Sequence, residues 1–165
     1  MSNLTEKQLQ EKREAFYETI VSKVKAHGFT LIGILPKEGD PDPTTFTYSV
    51  GLATYGGYEY LVAGLSPTLA QSVIENVYSR LLTHWRPSHN VVSYEIANLP
   101  VRFQLMTDEH EANTTKWFWG NKGIKFKVLQ IVWSDQEGNL PGEEDFNPGP
   151  NNIFLTSQLI PGSTL

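Results

Sequence analysis

Four histidines (His27, His84, His89 and His110) and no cysteine bound the chemistry open to this 165-residue chain. Without a thiol there is no cysteine nucleophile, no thiolate ligand for zinc and no disulfide. No two histidines stand at a spacing that puts a pair of ligands on one helix or strand, so no metal and no cofactor is implied. His27 falls at a helix end, where the dipole of the helix accounts for it. Asp108-Glu-His-Glu111 could hold a hard cation, but acids also suit the first turn of a helix, and that reading suffices. Asp135, Glu137 and Asn139 alternate as calcium-loop ligands do, yet Gly138 comes too early for an EF-hand and the stretch reads as a turn. Glu59 and Asp135 are the carboxylates that could serve as a general base, with Ser49, Tyr48 or a histidine as partner. Ser49 lacks the Gly-x-Ser-x-Gly elbow that exposes a nucleophilic serine.

Binding is better represented than catalysis. Tyr48, Tyr55, Tyr58, Trp117, Trp119 and Trp133 fall in a few neighbouring segments, and Lys116, Lys122, Lys125 and Lys127 are interleaved with the later ones. Flat aromatic walls with cations at the rim suit a nucleobase carrying a phosphate; the same lysines also fit an ordinary solvated face. Gly64-Leu-Ser-Pro-Thr68 ends a strand and opens a helix at Ser66, where backbone N–H groups can take an anion or be capped. The expected binding set is therefore Tyr48, Ser49, Tyr55, Tyr58, Glu59, Ser66, Lys116, Trp117, Trp119, Lys122, Trp133 and Asp135.

Several elements must position these residues. Thr5-Glu-Lys-Gln8 has the form of a capping box, and Leu9, Phe16, Ile20, Val21 and Val24 make an apolar stripe that Gly28 ends, so a helix spans about 5–27. Thr30 to Leu35 reads as a strand, and the proline-rich stretch from Lys37 to Thr45 as a loop. Phe46-Thr-Tyr-Ser-Val alternates like a half-buried strand, Gly56-Gly57 supplies a turn, and Tyr60-Leu-Val-Ala is a second strand. Ser66-Pro67 starts the strongest helix, running to about Thr83 with Leu69, Val73, Val77 and Leu81 on one stripe. Val91–Ile96 and Val101–Met106 read as a hairpin, Asp108–Trp119 as a helix and Lys125–Trp133 as a strand, and the tail from about 147 to 165 as irregular. The sum is an α+β domain: a mainly antiparallel sheet packed with about three helices.

The length suits a single domain. A formal net charge of −5 argues against general nucleic-acid binding, which needs clustered Lys and Arg. No run approaches the ~20 apolar residues of a membrane span, so a cytoplasmic protein without membrane attachment is expected.

From His27-Gly-Phe29 through Phe46-Thr-Tyr-Ser-Val-Gly-Leu and Tyr60-Leu-Val-Ala-Gly-Leu to Trp117-Phe-Trp-Gly and Val128-Leu-Gln-Ile-Val-Trp-Ser-Asp-Gln-Glu-Gly-Asn-Leu-Pro, the chain resembles the bacterial Domain of Unknown Function 4262. The likeness spans residues 27–146 and implies a fold and a pocket. Tyr58-Glu59 stands where the family usually has His-Pro-Glu, and Pro141-Gly-Glu143 where it tends to have Pro-Trp-Glu. The expected function is a small binding protein for an anionic, nucleotide-like ligand, such as a sponge that sequesters an immune signalling nucleotide. The alternatives are a hydrolase or transferase using Glu59 or Asp135 as base, and an interaction module that forms a homo-oligomer through a sheet edge or the N-terminal helix.

Overall fold

The computed structural model describes residues 4–34, 38–39, 45–106, 116–119, 123 and 125–147, with only the backbone at Lys116 and Trp117. Helix α1 (Glu6–His27) starts as its sequence dictates: Gln8 N donates to the Thr5 hydroxyl at 3.2 Å, while Thr5 N donates to the Gln8 side-chain oxygen at 2.9 Å. It stops at Gly28, which takes the left-handed conformation and donates its N–H to the Val24 carbonyl.

Six strands follow: β1 (Thr30–Ile34), β2 (Phe46–Val50), β3 (Tyr58–Ala63), β4 (Val92–Ser93), β5 (Val101–Leu105) and β6 (Lys127–Trp133). They form one sheet in the order β1-β2-β3-β6-β5-β4. A 3-10 turn (Leu52–Tyr55) joins β2 to β3, helix α2 (Pro67–Leu81) follows β3, and a single helical turn occupies Lys116–Trp119.

The sheet corrects the expectation of a mainly antiparallel sheet with about three helices. It is mixed, because its two central strands, β3 and β6, run parallel, with Tyr58 opposite Lys127 and Leu61 opposite Gln130. Two full helices are found among the described residues; of the helix expected over Asp108–Trp119, the described part is the one turn at its end. The physical reason for the parallel pair lies in burial. Both central strands are covered on both faces, from Glu59 to Ala63 and from Val128 to Val132, and a strand so placed is a nearly continuous apolar run. The strand expected over Val91–Ile96 shortens to Val92–Ser93, because the chain bends from Tyr94 to Leu99. The α+β class stands.

One helix covers each face. Ile74, Val77 and Leu81 of α2 pack with Tyr60, Val62, Phe103 and Ile131, each side chain contributing ~1.5–3 kcal/mol by leaving water. On the opposite face Ile20 of α1 joins Tyr48, Leu61, Val128, Phe118 and Trp119. Leu9 and Phe16, expected on the buried stripe of α1, are 41% and 50% exposed. The 22 residues of α1 extend ~33 Å, whereas strands of five to seven residues reach only ~17–24 Å, so the helix outruns the sheet. No helix of the described residues is long and apolar enough to cross a membrane.

Candidate functional site

Three of the residues singled out in the sequence meet at one atom group, the carboxylate of Glu59. Glu59 begins the buried part of β3, on the α1 face, and is fully enclosed. Its Oε1 accepts from Ser49 Oγ at 2.8 Å and from Leu52 N at 2.8 Å; its Oε2 accepts from Gly51 N at 2.7 Å and from Trp119 Nε1 at 2.6 Å. Ser49 Oγ in turn accepts from Tyr60 N at 2.9 Å, which orients the serine proton toward Glu59.

Local structure explains why these donors converge. The 3-10 turn leaves its first N–H groups without partners, and Gly51, its N-cap, has no side chain to supply one. The carboxylate of Glu59 takes that role from the next strand. Gly51 sits at φ +116°, and a Cβ there would lie 2.8 Å from the Gly28 carbonyl oxygen and 3.0 Å from Phe29 Cα, so only glycine fits.

Two effects oppose each other at this carboxyl. Burial pushes the pKa of Glu59 up and the bonds from Gly51, Trp119, Ser49 and Leu52 pull it down, and the balance leaves it raised from 4.5 to about 7. Desolvation wins in part because none of the four donors carries a charge. A carboxylate offers about four lone-pair sites; in the ionised form all four accept from protein donors, and the enclosure of the group leaves no path for a substrate to reach it.

Asp135, the other candidate base, is committed to backbone. Its Oδ1 accepts from Glu137 N and Asn139 N, both at 2.9 Å, and its Oδ2 accepts from Asn147 N at 2.8 Å. Burial acts upward on its pKa, but the amides of Asn147, Asn139 and Glu137 outweigh it and the pKa is lowered. That is the wrong direction for a base working near neutrality. Among the described residues no three His, Asp or Glu side chains gather as a metal site requires.

The rest of the expected set is divided between the faces. Tyr48 is buried beside Leu61 on the α1 face. Tyr55 and Tyr58 pack against the core on the α2 face, where Tyr55 meets Tyr78 edge-on at 5.8 Å. Ser66 caps α2, its hydroxyl accepting from Leu69 N at 3.3 Å. Trp133 is half-buried at the end of β6, and its Nε1 donates to the Ala63 carbonyl at 2.9 Å. Lys116 and Trp117 belong to the helical turn, with side chains outside the description; Lys122, His110 and the Asp108–Glu111 cluster lie outside the described residues. Ser49, Glu59 and Trp119 are thus brought together, and Trp133 and Asp135 are near neighbours in chain at another place.

Two features were not read from the sequence. Gln104 of β5 is completely buried opposite Gln130 of β6, and its Oε1 and Nε2 find no hydrogen-bond partner among the described residues. A glutamine between Phe103 and Leu105 in a short strand was the available signal. The second feature is an open groove of about 190 Å³ on the α2 face. Leu69 and Val73 of α2 form one side, Leu99 and Pro100 of the bend another, and Trp133 and Ser134 the end. Leu69 is 57% exposed and Leu99 39%, so these walls face solvent, although further along the bend is tied to α2 by Asn76 Nδ2, which donates to the Ile96 carbonyl at 2.8 Å, and by the Arg80–Glu95 ion pair.

Comparison with known proteins gives a family and nothing narrower. Residues 23–147 match the family described as Domain of unknown function (DUF4262), which covers three quarters of the chain. No curated protein and no solved structure matches it.

Proposed function

We propose that this chain, which belongs to the DUF4262 family, is a binding protein that holds a small molecule in the groove between α2 and the end of β6 without transforming it. The observation that carries the proposal is the groove itself: open, lined by carbon, and walled by an indole. Drug-sized ligands occupy pockets of ~300–1,000 Å³, so a groove of about 190 Å³ suits one flat ring system and not a whole dinucleotide. A nucleobase is such a ring, and its phosphate would remain outside the mouth. Binding without turnover is supported by the commitment of both candidate bases, Glu59 to four donors and Asp135 to three backbone amides. A sponge that removes a signalling nucleotide is one role for a protein of this kind.

Calorimetry against a panel of mononucleotides and cyclic nucleotides tests the proposal, with Val73→Trp, which fills the groove, as the control. Heat from at least one ligand, lost in V73W, with the ligand recovered chemically unchanged, is the expected result. No heat and no shift in melting temperature with any of them would overturn the nucleotide class, and a recovered product would overturn binding without turnover. A second reading, self-association through α1, is favoured by the exposure of Leu9 and Phe16. Light scattering decides it: a monomer that L9E/F16E leaves unchanged removes that reading.

A further inference from the structure

The end wall of the groove holds a polar group without a partner. Ser134 is 5% exposed, and its Oγ finds no hydrogen-bond partner among the described residues. A buried hydroxyl normally bonds, because burial removes its water and leaves the cost of desolvation uncompensated. Serine turns about χ1 among three staggered positions, so an unpaired Oγ beside an open groove can rotate to meet whatever occupies it. The charges around it are informative as well. Among the described residues no Lys, Arg, Asp or Glu lines the groove. An anionic group entering here would find no cation among the described lining residues to offset the loss of its water.

We infer that the groove recognises a neutral ring system carrying one polar atom, with the ring against Trp133 and the polar atom hydrogen-bonded to Ser134 Oγ. The inference rests on the reading of the groove as the ligand site and adds the chemical class of the part that enters it. Trp133 already donates its N–H to Ala63, so it supplies surface to a ligand and Ser134 supplies the polar contact. Any charged part of a ligand stays outside the mouth.

The test pairs two probes, 2-naphthol and naphthalene, with wild type, Ser134→Ala and V73W, following binding by tryptophan fluorescence and amide chemical shifts. Wild type is expected to prefer the naphthol. S134A loses about two- to tenfold in affinity for the naphthol, the value of one net hydrogen bond, and keeps its affinity for naphthalene. Unliganded S134A melts no lower than wild type, since it sheds an unpaired hydroxyl. If both probes bind, V73W abolishes binding, and S134A treats the two probes as wild type does, the role of Ser134 is wrong while the groove stands. If neither probe binds wild type, or V73W binds as well as wild type, the groove reading fails and the inference with it. A lowered melting point for unliganded S134A would show that Oγ is already paired, which also overturns the inference.

Discussion

Replacing Glu59 by glutamine should give a variant whose handicap shrinks as the pH rises. Glutamine keeps the shape but presents an –NH2 where two donors now point. If the nitrogen takes the place of Oε2, it faces Gly51 N and Trp119 Nε1, neither of which can accept. If it takes the place of Oε1, Ser49 Oγ can turn to accept, but Leu52 N is orphaned and the serine proton must find another partner. The protonated wild-type carboxyl also turns an O–H toward one of these donors, so against that form the amide leaves about one more buried group unpaired, ~1–3 kcal/mol. Against this stands the cost of burying a charge. The carboxyl of Glu59 has a folded pKa of about 7 against 4.5 when unperturbed. A raised pKa means that the folded state holds its proton more tightly than the unfolded chain. The stability this confers is fully present below pH 4.5 and lost as the pH rises through about 7. The difference corresponds to about 3 kcal/mol, which wild type loses and E59Q does not. Urea unfolding at pH 5, 6, 7 and 8, followed by circular dichroism on both proteins, isolates this because all other titrating groups are common to the two. E59Q should be less stable by about 1–3 kcal/mol at pH 5, and the gap should close by about 2.5 kcal/mol by pH 8. A gap that is constant or widens with pH would refute the reasoning, since it would mean that the four donors overcome burial and hold Glu59 ionised throughout.

Ser49→Ala should destabilise by about 2 kcal/mol in the same assay, because Tyr60 N loses its acceptor and Glu59 one of its donors, and its stability should fall more steeply with pH than that of wild type. Gly51→Ala should cost about 3 kcal/mol or more, or prevent folding, because its Cβ meets the backbone at Gly28 and Phe29, and backbone cannot step aside as a side chain can; thermal melting reads this directly. Asp135→Ala should leave the global melting point nearly in place while hydrogen exchange speeds up at Glu137, Asn139 and Asn147, the three amides its carboxylate holds. Because the pKa of Asp135 is lowered, protection of those amides in wild type should persist at neutral pH and fade only as the pH drops through that lowered value.

The features that were legible in the sequence are those decided within a few residues. Thr5 with Gln8, Ser66 before Pro67 and Gly28 after His27 each satisfy backbone groups one turn away, so both ends of α1 and the start of α2 could be placed from the sequence. Glu59, Ser49 and Trp119 were named as candidates for a shared site, but their assembly around one carboxylate joins segments 60 residues apart, and no local pattern encodes that distance. A sequence shows that residue 59 is a carboxylate and conceals the four donors that surround it.

The parallel pairing of β3 with β6 shows the division most clearly. Their apolar runs were visible, and so was their strand character, because β-branched and aromatic side chains favour a pleated backbone whatever their neighbour. Which strand lies beside which, and in which direction, was not visible, because any two apolar strands can satisfy each other's hydrogen bonds and the choice falls to the packing of both faces at once. Sequence alone determined the local elements, their caps and the absence of thiol chemistry, since these depend on nearest neighbours and composition. Tertiary structure decided the mixed sheet, the enclosed Glu59 carboxylate and the groove beside Trp133, since each exists only where distant segments meet, or fail to meet, in space.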